Sequence, residues 1–280
     1  MSAVPVSSPR RAAPSGRPDL SASDLAAPQL RLRGVTVRFG GITALDDLSF
    51  DVAPSTICGL IGPNGAGKTT CFNCISGVYQ PAAGTIVFEG TSLTGMARHA
   101  IAAAGIGRTF QNLALFPSMS VERNVLVGGH GRTRGGFLAH MARLPSVLRS
   151  EQTLRERVLA LLRRFELGQV ADTPVGELPF AVQKRVELAR ALAGQPKLLI
   201  LDEPAAGLNH EAVEQLADNI RRIRDDDGIT VLLVEHHMNL VMRISDQVVV
   251  LDFGRKIADG VPDAVRRNAD VVQAYLGQAA

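Results

Sequence analysis

Gly62-Pro63-Asn64-Gly65-Ala66-Gly67-Lys68-Thr69 follows the apolar stretch Ile57–Ile61 and opens a segment with helical character over 68–77. Strand, glycine-rich turn and helix, in that order, are the setting in which G-x-x-x-x-G-K-[ST] grips a nucleoside triphosphate by its phosphates. Glycines at 62, 65 and 67 let the backbone curl so that successive N–H groups converge on an anion. The helix adds the positive end of its dipole, with Thr69 and Thr70 in its first turn. In that arrangement Lys68 reaches the β- and γ-phosphates and Thr69 sets its hydroxyl on Mg²⁺. A glycine turn with no ligand is the competing reading. The flanking strand and helix count against it.

The second signal lies far downstream, in Leu198-Leu199-Ile200-Leu201-Asp202-Glu203. A wholly apolar strand ending in two acids delivers carboxylates to the C-terminal edge of a parallel sheet, where such folds bind ligands. Asp202 suits Mg²⁺, directly or through water, and Glu203 suits polarising an attacking water. An acid pair after a strand is weak evidence alone and becomes specific beside the phosphate loop.

The bulk composition narrows the class. With 46% hydrophobic and 20% charged residues, the 280-residue chain has the makings of a full core rather than a disordered polymer. The net charge of +3 lacks a basic stripe, and 4% aromatics without tryptophan give no stacking platform, so nucleic acid is not the expected partner. No apolar run approaches 18 residues, the length a membrane-spanning helix needs. Cys58, Cys71 and Cys74 are an odd set without framework spacing, which fits a reducing compartment. Cys71 and Cys74 read as small buried helix residues rather than a metal or redox pair.

Residues 1–28 are rich in Pro, Ser, Ala and Arg, without periodicity, and read as a disordered tail. From Gln29 the alternation of Leu30, Leu32, Val35, Val37 and Phe39, then Leu48, Phe50 and Val52, predicts paired strands. Further strands are expected at 85–88, 197–201, 229–234 and 247–252, and helices at 211–224 and after 235. Residues 120–190 read mostly helical, with a Gly/Arg-rich break at 128–136 and an amphipathic run at 151–166. Strands alternating with helices predict an α/β fold with a parallel sheet covered on both faces. The helical stretch, about 116–186, looks like an inserted subdomain, and the early strands form a small antiparallel sheet.

Taken together, residues 29–277 resemble the ATPase subunit of an ATP-binding-cassette (ABC) transporter. Arg108-Thr109-Phe110-Gln111-Asn112 is similar to the family's glutamine loop, and Val234-Glu235-His236 ends a strand as its histidine switch does. The resemblance implies that Gln111 contacts Mg²⁺ or the water and senses the membrane partner. It implies that His236 contacts the γ-phosphate and that Phe39 stacks on adenine. Leu115-Phe116-Pro117, Asp202 through Asn209, Val234 through Met238 and Ala274-Tyr275-Leu276-Gly277 resemble the branched-chain amino-acid importer group in particular. Importers of urea, amides or aromatic acids share these traits. The implied partners are a second cassette, two transmembrane permease subunits and an extracytoplasmic solute-binding protein. The implied location is peripheral, on the cytoplasmic face of a bacterial inner membrane. A nucleotide-gated subunit with weak hydrolysis and a soluble, non-transport cassette ATPase remain as alternatives. The second would usually join two cassettes or carry coiled-coil or zinc insertions.

One stretch departs from the family pattern. Where L-S-G-G-Q is usual, this chain has Leu178-Pro179-Phe180-Ala181-Val182-Gln183. Pro179 can donate neither a hydroxyl nor an N–H, and Ala181 replaces a glycine at a place of close backbone approach to phosphate. Harmless drift is one reading, since the helix N-terminus still offers its dipole and N–H groups. The favoured expectation is a weakened site in trans, and hence a heterodimer with a cassette whose signature is intact. His237, beside His236, diverges from it and is not expected to bind metal.

Overall fold

The computed structural model describes residues 27–109, 113–132 and 145–276. Most of the tail expected at 1–28, part of the break expected at 128–136, Gln111 and Gly277 lie outside them.

Two sheets organise the chain. Strands β1 (Leu30–Phe39), β2 (Ile42–Val52), β4 (Ala83–Phe88) and β5 (Thr91–Ser92) make an antiparallel sheet in the order β2-β1-β4-β5. Strands β3 (Ile57–Ile61), β6 (Ile106–Arg108), β7 (Leu198–Asp202), β8 (Thr230–Val234), β9 (Gln247–Asp252) and β10 (Arg255–Gly260) make the other, ordered β10-β9-β3-β8-β7-β6. All its neighbours run parallel except the β9–β10 hairpin. The described helices are α1 (Lys68–Ile75), α2 (Arg98–Ala104), α3 (Val121–Gly129), α4 (Pro145–Arg164), α5 (Phe180–Ala193), α6 (His210–Asp225), α7 (Met238–Ile244), α8 (Pro262–Arg266) and α9 (Ala269–Leu276).

The two faces of the six-stranded sheet feed two separate cores. Ile57, Ile61, Leu199, Leu201, Val231, Leu233, Val248 and Val250 pack with apolar side chains of α3 to α7. Their neighbours Cys58, Leu60, Leu198, Ile200, Leu232, Val234, Val249 and Leu251 pack with Phe72 and Ile75 of α1 and with the antiparallel sheet. Successive side chains of a strand point to opposite faces, so a sheet buried on both sides needs unbroken apolar strands. That is why β3, β7 and β8 carry almost no polar residue. The strands at both margins, β6 with Gly107 and the half-exposed β10, lack such a run.

α6 illustrates how a helix is fixed locally. The Asn209 side chain accepts a hydrogen bond from Ala212 N at 2.9 Å, capping the N-terminus. Leu216, Ala217, Ile220 and Ile223 then recur at helical spacing and are the buried residues of that helix.

Candidate functional site

β3, β7 and β8 end side by side, and the candidate site is built from the segment that leaves each of them. After β3, the chain turns through Gly62 at φ 152°, Gly65 at φ 80° and Gly67 at φ 101°. A Cβ on Gly62 would sit 2.1 Å from the Leu251 carbonyl, and one on Gly67 would sit 2.6 Å from the Ala44 carbonyl. Both positions therefore require glycine, with β9 pressing on the loop at Gly62 and β2 at Gly67. Ala66 and Gly254 complete that clamp, the Gly254 N–H donating to the Ala66 carbonyl at 3.0 Å. Pro63 and Ala66 are buried, while Asn64, Gly65 and Thr69 are exposed and Thr70 is half-buried.

Lys68 is 6% exposed, and its Nζ donates to the Gly62 and Pro63 carbonyls at 2.7 and 2.9 Å. An ammonium has three donors, and the loop carbonyls take two while fixing its place inside the cradle. Burial lowers the Lys68 pKa, opposed by the nearby charges of Glu203 and then Asp202. The three groups thus share one electrostatic neighbourhood, although they come from distant parts of the sequence.

Asp202 closes β7 at 2% exposure. Its Oδ2 accepts from Arg108 at 3.1 Å, and Arg108 also donates to Asn73 Oδ1 and Ser76 Oγ on the helix side of the phosphate loop. Asp202 Oδ1 is buried and has no hydrogen-bond partner among the described residues. Burial pushes the Asp202 carboxyl above its ordinary range, opposed by Arg108. A buried carboxylate oxygen without a donor is what a hard cation, or water bound to it, would satisfy. The residues present fit Mg²⁺, with Thr69 and Asp202 as candidate ligands.

Glu203 leaves the sheet in the left-handed region at φ 48°, a strained conformation for glutamate. Its N–H donates to the Val234 carbonyl at 2.9 Å, which ties the exit of β7 to the exit of β8. Two residues beyond that carbonyl, His236 Nε2 lies 2.7 Å from Glu203 Oε1. The side chain of Glu203 is 19% exposed and that of His236 is 44% exposed, so the pair sits at the mouth of the cradle. A carboxylate held against an imidazole at this distance can take or pass a proton.

Phe39 stands at the end of β1, 45% exposed, with its ring edge-on to Tyr79 at a centroid distance of 5.0 Å. Its exposed face is free for stacking within the described residues. Gln111 lies outside the described residues. Among the described residues no three His, Cys, Asp or Glu side chains group as a metal site, and all three cysteines are buried thiols.

Further residues support the site, and the fold rather than the sequence pattern shows what they touch. Arg108 fixes Asp202, and its one mark in the sequence is its place before the glutamine segment. Tyr275 of α9 lies against the Gly62 N–H, and burial raises its hydroxyl to about 12. Phe180 stands at the signature segment, its ring edge 3.1 Å from where a Cβ of Gly207 would be, with Lys184 Nζ 5.6 Å from its centroid. Pro179 is the N-cap of α5 with no side-chain hydrogen bond. Its carbonyl accepts from Val182 and Gln183.

The ABC transporter family profile matches residues 45–206, and a branched-chain amino acid ATP-binding cassette transporter profile matches residues 255–280. The high-affinity branched-chain amino acid transport ATP-binding protein BraF of Pseudomonas aeruginosa is 42% identical over 91% of this chain and all of its own length. Its counterpart LivG of Escherichia coli K12 is 40% identical with the same coverage. A solved ATP-binding cassette of an ABC transporter in its ADP conformation superposes with a TM-score of 0.77 at 29% identity. That match covers 90% of this chain and 100% of the other.

Proposed function

The chain belongs to the ABC transporter family, and we propose that it is the ATP-hydrolysing subunit of an importer for branched-chain amino acids or a related small polar solute. The observation that carries the hydrolytic reading is the Glu203–His236 contact of 2.7 Å at the mouth of the phosphate cradle. The solute class is taken from the similarity to BraF and LivG and from the C-terminal profile match.

In this reading the backbone N–H groups of 62–69 and the Lys68 ammonium hold the phosphates of ATP. Thr69, Asp202 and Gln111 would hold Mg²⁺, which would supply charge neutralisation at the phosphates. Glu203 orients and polarises the water for in-line attack on the γ-phosphorus, and His236 binds the γ-phosphate and keeps Glu203 in place. Phe39 stacks on the adenine. Little covalent work falls to the protein, so the rate depends on positioning.

No described helix is long and apolar enough to cross a membrane. Transport in this reading draws on permease subunits from other chains, with this one docked on their cytoplasmic side and a solute-binding protein delivering from outside. The altered signature, Pro179 and Ala181, favours a heterodimer. This chain's phosphate loop would face an intact signature on a second cassette and hydrolyse there. The weak signature would leave the partner's site mainly holding ATP.

The experiment is uptake of radiolabelled leucine into proteoliposomes holding the chain with its co-purified permeases, second cassette and binding protein. ATP-dependent accumulation, lost with Lys68→Ala, is expected. ATP-independent uptake would refute the energising role, and ATP-driven uptake of a different solute would correct the solute class.

A further inference from the structure

Glu235 has no place in the hydrolytic scheme, although it directly precedes the switch histidine and is 2% exposed. Its Oε1 accepts the Ala205 N–H at 2.6 Å, and its Oε2 accepts the N–H groups of His236 at 3.0 Å and His237 at 3.4 Å. A carboxylate with both oxygens taken by backbone donors is the arrangement that makes deep burial of the group tolerable. The two oxygens reach two different loops. One comes just after Glu203, and the other carries His236.

These bonds join a set. Glu203 N donates to the Val234 carbonyl, and Ala206 N donates to the Glu203 carbonyl at 3.1 Å. Glu203 is thereby enclosed between the β8 exit and the Ala205–Ala206 turn, in a left-handed conformation it would not keep unaided. The same loop runs on to Gly207 against Phe180 and to Asn209 at the cap of α6.

We propose that Glu235 is a positioning residue for hydrolysis: it locks the Glu203–Ala206 turn to the His236 backbone, so that Glu203 and His236 meet as a preset pair. This rests on the reading of Glu203 and His236 as the hydrolytic pair. Glutamine at 235 keeps the shape and one accepting oxygen but sets an NH₂ against donors on the other side, so one of the two loops is released. Aspartate keeps the charge but is one methylene too short to span both.

The test measures ATP turnover of the assembled transporter carrying Glu235→Gln, Glu235→Asp, His236→Ala, Glu203→Gln, or Glu235→Gln with His236→Ala. Nucleotide affinity and melting temperature are followed alongside. Glu235→Gln is expected to lower kcat by about 10- to 100-fold, the scale of an ångström's misplacement, with KM for ATP changed less than about two-fold. The double variant should be no slower than His236→Ala alone, because both act through one pair. A purely structural role would instead shift melting and affinity together and would add to the His236→Ala effect. Near-normal turnover in Glu235→Gln, or additive losses, overturns the proposal while slow Glu203→Gln and His236→Ala leave the hydrolytic reading standing. If those two variants also turn over normally, both fall. If neither Glu235 variant folds, Glu235 is structural and the proposal is wrong.

Discussion

Asp202, the proposed Mg²⁺ ligand, is a residue whose burial costs the fold stability. Burial raises its pKa in the folded protein above that of the unfolded chain, and Arg108 only partly offsets this. The folded state therefore holds that proton more tightly, and stability from this group falls as pH climbs from the unfolded value towards the folded one. Above that window the ionised carboxylate carries its full cost. Asp202→Asn keeps an acceptor for Arg108 and removes the charge. It should raise the melting temperature at pH 7, and the gain should vanish near pH 4, about the ordinary carboxylate pKa. Scanning calorimetry of both proteins at the two pH values checks this; an Asn variant less stable at pH 7 would contradict it. Residues with a fixed spacing to a glycine loop or an apolar strand, such as Lys68 and Asp202, are legible in the sequence. Arg108 and Glu235 are not, because their partners are brought to them only by the fold, across 94 and 30 positions.

Among the elements, the four inner strands are legible because burial on both faces demands apolar residues throughout. β6 escapes notice because three residues with a central glycine carry no period, and β10 because half-exposed Arg255–Gly260 alternates too weakly. The helix expected over 68–77 stops two residues sooner; α1 ends at Ile75, with Ser76 as its C-cap. The N-cap of α6 is Asn209. Asn209→Ala should cost about 1 kcal/mol and Asn209→Asp almost nothing, since either carboxamide or carboxylate accepts from Ala212 N. Urea unfolding midpoints would show it, and equal losses for both variants would exclude a capping role. Gly62 belongs to the same scale. A side chain there meets the Leu251 carbonyl, so the phosphate loop and the β9–β10 hairpin must move together.

At the scale of the whole molecule, the α/β architecture with its antiparallel sheet can be read from the order of strands and helices. The faces that meet other chains cannot, because partner surfaces are exposed and carry no burial period. The signature segment is where the assembly is testable. Restoring Pro179→Ser with Ala181→Gly should speed hydrolysis at the partner's site and leave this chain's own site nearly unchanged. Site-resolved turnover, with one subunit's base blocked at a time, separates the two. If neither rate rises, or if this chain alone works at the full rate of the complex, the asymmetric assembly is wrong. The central claim is narrower: that ATP held by the Lys68 loop is hydrolysed through Glu203, paired with His236 at 2.7 Å. Its most direct test is turnover and nucleotide affinity of Glu203→Gln in the assembled complex. The account predicts unchanged affinity and turnover lowered by roughly 10²- to 10⁴-fold, the range for losing a positioned base; turnover within a few-fold of the unmodified complex would contradict it.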